Sequence, residues 1–128
     1  MSMKLFINKW FAKFVRKEGI SNAQLHQAIR EIEKGHIDAD YGGGVIKQRI
    51  SRTNQGKSGG YRSIILYLQG SRAFFVYGFS KSERDNIREL EKRDFKELAK
   101  ITFALSETDL MKLIEIGAYQ EVQCDGKD

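Results

Sequence analysis

Hydrophobic and polar residues change their spacing several times along the chain, which separates extended from helical segments. Residues 3–8 are a short apolar run that predicts a strand. Apolar residues then recur at helical spacing over 10–17 and again over 21–35, and a glycine ends each segment. Ser21 and Gln24 stand at the spacing of a capping box, so we expect the second helix to begin there.

The middle of the chain is extended. A glycine-rich loop is predicted over 38–44, and three strand segments follow at 46–52, 62–69 and 72–79. The last two are joined by a short glycine-containing turn, which is typical of a β-hairpin. Both are apolar on both faces, as expected for central strands covered by helices.

Strict alternation marks the first of these three strands. Ile46 and Ile50 share one face and are expected in the core, whereas Lys47 and Arg49 share the other face. The pattern therefore predicts two cations projecting together from an open face of a sheet.

Two further helices are predicted in the C-terminal part. Capping-box spacing at Ser82 and Asp85 predicts that the first of these helices begins there. The inner face of that helix is expected to comprise Ile87, Leu90, Phe95, Leu98 and Ile101. The second helix runs from Ser106 to Gly117. The resulting order, β-α-α-β-β-β-α-α, predicts an α+β fold with a small, mostly antiparallel sheet and helices on one side.

Length and composition favour one intracellular domain. The 128 residues suit a single domain over 1–128, and no apolar run reaches the roughly 18 residues that span a membrane. The N-terminal segment is interrupted by lysines and lacks a cleavage site, so no secretion signal is expected. A single cysteine, Cys124, excludes a disulfide framework. We therefore expect a cytoplasmic protein with no membrane association.

Positive charge is concentrated in the middle third. Residues 44–84 contain eight lysines and arginines and one acid, whereas residues 85–128 contain seven basic and eleven acidic residues. This asymmetry points to a polyanionic partner for the central segment, and a solvated basic surface is the alternative.

Several kinds of chemistry find no support in the sequence. His26 and His36 lie away from the basic segment, and one cysteine with two histidines makes a metal site improbable. Gly56-Lys57-Ser58 lacks the earlier glycine and the following helix of a phosphate-binding P-loop. No cofactor is expected.

The basic segment itself has residues suited to RNA. Cations can hold phosphates and stabilise a developing phosphorane charge, and aromatic rings can stack on unpaired bases. A lysine can act as a general base when neighbouring cations lower its pKa. The candidate residues are Lys47, Arg49, Arg52, Lys57, Arg62, Lys81 and Arg84, interleaved with Tyr61, Tyr77 and Phe79.

Three stretches carry a resemblance to a known family. They are the glycines and basic strand of 42–49, the turn Gly56-Lys57-Ser58-Gly59-Gly60-Tyr61-Arg62, and the run 74–84 that contains Tyr77, Phe79, Lys81 and Arg84. Together they resemble the RelE/HigB superfamily of bacterial toxins from type II toxin–antitoxin systems, over a core of about 3–100. The helical segment at about 104–122 is then an extension of that core.

The resemblance implies a metal-independent messenger-RNA endonuclease that acts on ribosome-bound message and inhibits translation. By motif, the catalytic residues are Lys47, Arg49, Arg62 and Lys81, with Lys47 as candidate base and Arg62 as phosphate stabiliser. Arg52, Lys57, Tyr61, Tyr77, Phe79 and Arg84 would bind RNA. Phe79 replaces a tyrosine that many relatives carry, and it has no proton to donate.

The resemblance also implies partners and leaves alternatives open. A cognate antitoxin, often of the helix-turn-helix type, would neutralise the toxin, and operator DNA would be contacted only through that complex. One alternative is a non-enzymatic ParE-like toxin that inhibits DNA gyrase. Another is a co-repressor that binds the antitoxin and has no catalytic activity.

Overall fold

The computed structural model describes residues 3–51 and 60–123. Within them the chain forms six strands and four helices. They are β1 (Lys4–Asn8), α1 (Lys9–Glu18), α2 (Asn22–Glu33), β2 (Ala39–Gly42), β3 (Val45–Ile50), β4 (Tyr61–Leu68), β5 (Arg72–Ser80), α3 (Glu89–Phe103), α4 (Glu107–Glu115) and β6 (Tyr119–Val122). The predicted α+β class is confirmed.

The six strands form one sheet in the order β2-β3-β4-β5-β1-β6. β1 runs parallel to β5, and every other neighbouring pair is antiparallel. The predicted hairpin of β4 and β5 is present, and both strands are buried along most of their length. A mostly antiparallel sheet was therefore predicted correctly.

Both faces of the sheet are covered, which corrects the expectation of helices on one side only. One hydrophobic cluster joins α1 and α2 to alternate strand residues such as Leu5 and Ile65. The other joins Ala99 of α3 and Leu110 of α4 to the intervening residues, such as Phe6. Because side chains alternate along a strand, these two clusters lie on opposite faces of the sheet.

Two short edge strands were not predicted. β2 lies where a loop was expected, and β6 lies within the segment expected to be a helical extension. Each has only four residues, too few for alternation to be recognised. β6 pairs with β1, so the C-terminal segment completes the sheet.

Helix α3 begins later than its capping-box spacing indicated. Residues 80–84 form a turn instead, in which the Arg84 N–H donates to the Ser80 carbonyl. The helix begins after Arg88, whose N–H donates to the Glu91 carboxylate at 2.7 Å. The inner face also differs from the prediction: Leu90 and Ile101 are 62% and 65% exposed, so their prediction as core residues was wrong.

Candidate active site

Three cations converge on one face of the sheet because of strand register. Arg49 of β3 lies directly opposite Arg62 of β4, and Arg62 in turn lies opposite Phe79 of β5. Residues paired in this way project to the same face, and so does Lys47, two residues before Arg49. The predicted pairing of Lys47 and Arg49 on one face is confirmed.

This face is more enclosed than the predicted open face. The side chains of Lys47 and Arg62 are each only 14% exposed. Both contact the same carboxylate oxygen of Asp38, with Lys47 Nζ at 3.5 Å and Arg62 Nε at 3.2 Å from Oδ2. Asp38 precedes the edge strand β2, and it was not among the predicted site residues.

Arg49 is held close to the backbone of Gly60. Its Nε is buried, and among residues 3–51 and 60–123 it has no hydrogen-bond partner. A β-carbon at Gly60 would lie 3.2 Å from that nitrogen and 2.9 Å from the Ile50 carbonyl oxygen. The glycine before β4 therefore leaves the space in which the Arg49 guanidinium lies.

Arg84 is held by an acidic partner beside this cluster. Its guanidinium donates to both carboxylate oxygens of Glu91, at 2.6 and 3.3 Å, and to the Tyr77 hydroxyl at 3.1 Å. The Arg84 bond, together with the Arg88 N–H, lowers the pKa of Glu91 from 4.5 to about 2. Arg84 thus joins β5 to the first turn of α3, and with 27% of its side chain exposed its role in RNA binding stays a prediction.

The aromatic residues predicted to stack on bases are largely enclosed. Tyr61 and Phe79 are each 3% exposed and lie in the two opposite cores. Because a buried ring has no free face, base stacking at these two positions does not fit the structure. Tyr77 packs between Trp10, at 4.6 Å between ring centroids, and the Arg84 guanidinium at 5.8 Å.

Trp10 is the aromatic residue that sequence reasoning missed. It follows β1, stacks on Phe14 and packs against Tyr77 with the two ring planes at 36°, yet 43% of it stays exposed. The position of Trp10 beside β5 depends on where β1 ends. The spacing of apolar residues near Trp10 predicted only that it lies in a helix. An exposed ring fixed on two other rings is suited to stacking on a base, because little conformational freedom remains to be lost.

Of the other predicted cations away from this cluster, the structure describes Lys81. Lys81 is exposed and directly follows β5, two residues after Phe79. Arg52, Lys57 and Cys124 lie outside the described residues. The structure therefore brings Lys47, Arg49 and Arg62 together, with Lys81 at the end of an adjacent strand.

The cluster has the electrostatics of an anion site. Lys47 and Arg62 share the Asp38 carboxylate, Arg49 lies directly opposite Arg62, and like charges directly opposite each other across a strand pair destabilise a sheet. An RNA phosphate would relieve this repulsion and accept hydrogen bonds from the guanidinium groups. Among residues 3–51 and 60–123, no three potential ligands group closely enough to hold a metal ion.

Comparison with known protein families agrees with this geometry. Residues 3–122 match the family described as the RelE toxin of the RelE / RelB toxin–antitoxin system. The chain belongs to the RelE toxin family. The match includes α4 and β6, so the family similarity extends beyond the 3–100 core seen in the sequence motifs.

Membership of the RelE family makes this chain a toxin of a toxin–antitoxin system, and RelE toxins pair with an antitoxin. A search of curated proteins gave no match. In the part of the chain that the structure describes, no helix is long and apolar enough to cross a membrane.

Proposed function

We propose that this RelE toxin is an endonuclease that cleaves ribosome-bound messenger RNA without a metal ion and so inhibits translation. The observation that carries the proposal is the convergence of Lys47, Arg49 and Arg62 on one face of the sheet. Repulsion between these cations lowers the stability of the fold, and their convergence is readily explained if a phosphate binds among them.

The proposed reaction uses the 2′-hydroxyl of the RNA as the nucleophile. Its oxygen forms a bond to the adjacent phosphorus while the bond to the 5′ oxygen breaks, leaving a 2′,3′-cyclic phosphate and a 5′-hydroxyl. Lys47, in its uncharged form, accepts the 2′-hydroxyl proton, and Lys81, in its charged form, protonates the departing 5′ oxygen. Arg49 and Arg62 stabilise the charge that develops on the phosphorane.

Lys81 takes the role of acid because the neighbouring aromatic position offers no proton. Phe79 has no hydroxyl, and the Tyr77 hydroxyl lies against the Arg84 guanidinium, from which it accepts a hydrogen bond, while it keeps its own proton. Lys81 is the exposed cation at the end of the strand that contains both rings.

Base contacts are assigned to Trp10 because its ring is exposed. Tyr77, against which Trp10 packs, lies opposite Ile64, and Ile64 lies opposite Lys47. Neighbouring strands are separated by about 4.8 Å, so this row places Tyr77 roughly 10 Å from Lys47 along the sheet. That span suits a base one or two nucleotides from the scissile phosphate.

A cytoplasmic location follows from the proposed activity, since translating ribosomes are there. We propose that the antitoxin is of the helix-turn-helix type and that operator DNA is contacted only through the toxin–antitoxin complex.

Induction of the chain in bacteria tests the proposal. We expect growth arrest and discrete new 5′ ends within translated codons, both abolished by Arg62→Ala. Arg16→Ala, which removes an exposed cation from α1, is the matched control and is expected to arrest growth like the unmodified chain. Intact messages with arrested replication would instead indicate a ParE-like gyrase inhibitor, and the absence of growth arrest would indicate a co-repressor.

A further inference from the structure

Asp38 is a carboxylate beside the cation cluster that lies outside the three stretches that carry the family resemblance. We propose that Asp38 is a positioning residue that holds Lys47 and Arg62 at a single point and stabilises the charge that Lys47 gains during cleavage. This inference rests on the proposed endonuclease function.

The first step is the geometry of the shared contact. One oxygen, Asp38 Oδ2, lies 3.5 Å from Lys47 Nζ and 3.2 Å from Arg62 Nε. These cations come from neighbouring strands, and each has a long side chain with several rotatable bonds. A shared anionic partner fixes both cations in one arrangement before any RNA binds.

The second step is the anchoring of Asp38 itself. Its backbone N–H donates to Gln48 Oε1 at 3.0 Å. Gln48 is buried, and its amide nitrogen donates to the carbonyls of Ala28 and His36 at 3.3 and 2.9 Å. The backbone that carries the Asp38 carboxylate is therefore attached to the core of the domain and does not depend on the exposed turn after β2.

Gln48 and Lys47 are neighbours on β3 with opposite side-chain directions. Gln48 points to the α2 side, where it holds the chain before β2, and Lys47 points to the other face. Asp38 links the two, since Gln48 binds its backbone and Lys47 contacts its side chain. A buried amide on one face of the sheet thereby helps to place the cations on the other.

The third step is the charge change during the reaction. Lys47 loses its proton before it acts as the base. When it then accepts the 2′-hydroxyl proton, its positive charge is restored next to the Asp38 carboxylate, which remains ionised. A partner that meets a charge only as it develops acts mainly in the transition state, so its removal lowers the maximal rate more than it weakens binding. An alternative role is a brake, in which Asp38 occupies the phosphate position and lowers activity until RNA displaces it.

Asp38→Asn separates these roles. The assay uses purified protein with ribosomes programmed with a defined message, and measures the maximal cleavage rate and the protein concentration at half-maximal rate. We expect the maximal rate to fall about 10- to 100-fold, less than the roughly 10²–10⁴-fold typical of losing a general base. The half-maximal concentration should stay equal or decrease, because a negative charge has been removed from an RNA site.

Two variants serve as comparisons. Asp38→Glu keeps the charge and should recover part of the rate. Asp94→Asn removes one exposed negative charge from α3 and should cut like the unmodified chain.

Three outcomes would count against the proposed role of Asp38 or against the proposed function. An Asp38→Asn rate equal to or above that of the unmodified chain would overturn the positioning role and favour the brake. A variant that loses rate together with RNA binding and thermal stability, with no recovery in Asp38→Glu, would also overturn it, because Asp38 would then be structural. Failure of the unmodified chain to cleave message would contradict the proposed function, a result distinct from any difference between variants.

Discussion

The ion pair between Arg84 and Glu91 predicts a specific dependence of stability on pH. Glu91→Gln keeps the size of the side chain and removes its charge. The carboxylate accepts two bonds from Arg84 and one from the Arg88 N–H, and together they lower its pKa from 4.5 to about 2. Its ionised form is therefore favoured in the folded state relative to the unfolded chain.

The magnitude follows from linkage between ionisation and folding. A difference of about 2.5 pKa units, at 1.36 kcal/mol each, sets an upper bound of about 3.4 kcal/mol. The Glu91 side chain is 25% exposed, so screening by solvent reduces the expected loss to about 1–2 kcal/mol. Because the pKa is lowered on folding, this contribution is complete above pH 4.5 and is lost as the pH falls towards 2.

Urea unfolding at pH 7, 4.5 and 3 measures this contribution. Trp10 is the one tryptophan of the chain, and it packs against the Tyr77 ring that Arg84 contacts, so its fluorescence reports on this region. Glu91→Gln should lower the free energy of unfolding at pH 7 by about 1–2 kcal/mol, and the difference from the unmodified chain should shrink at pH 3. The control is Glu97→Gln on the same helix, whose exposed pair with Lys100 should contribute less than about 0.5 kcal/mol.

Two results would refute this reasoning. The first is an equal loss of stability in Glu91→Gln and Glu97→Gln at pH 7. The second is a Glu91→Gln difference that stays constant between pH 7 and pH 3, since a depressed pKa requires it to decrease.

Three further predictions concern packing and the site. Gly78→Ala should lower the free energy of unfolding by about 1–3 kcal/mol in urea, because the added carbon would lie 2.6 Å from the Phe14 ring; an unchanged midpoint would contradict this. Trp10→Ala should raise the protein concentration needed for half-maximal message cleavage by the equivalent of about 1–3 kcal/mol, with Trp10→Phe intermediate, and equal values for all three would remove Trp10 from RNA binding. Lys47→Ala should lower the cleavage rate roughly 10²–10⁴-fold, whereas near-normal cutting would exclude it as the base.

The sequence predicted the elements that carry a strong local signal. Capping interactions at Ser21 and Ser106 are present as expected, with the N–H of Gln24 and of Asp109 donating to the two hydroxyls. Alternation in β3 placed Lys47 and Arg49 correctly on one face, because a period of two is unambiguous over six residues.

Tertiary contacts decided the features that the sequence did not predict. Ser82 has capping-box spacing, yet its hydroxyl bonds to the Ser80 hydroxyl in the turn after β5. Helix α3 instead begins where Glu91 reaches back to Arg88. The local spacing of residues could not distinguish these two possible starts of helix α3, since both follow polar residues.

The candidate active site also depends on tertiary contacts that local sequence patterns do not indicate. Motif comparison identified cations along the chain, but whether a ring is enclosed depends on elements distant in sequence. Tyr61 is buried against Phe14 of α1, which no pattern near Tyr61 indicates. Asp38 lay in a predicted loop, and its contact with Arg62 arises only because β2, β3 and β4 are adjacent in the sheet.

The chemistry of the cut ends tests the central claim most directly. Purified toxin is mixed with ribosomes programmed with a defined message, and the new RNA ends are characterised for the unmodified chain, Arg62→Ala and the control Arg16→Ala. We predict 2′,3′-cyclic phosphate and 5′-hydroxyl ends with the unmodified chain and the control, and a large loss of cleavage with Arg62→Ala. Uncut message, or ends with a 5′-phosphate and a 3′-hydroxyl, would contradict cleavage through the 2′-hydroxyl at this cluster of cations.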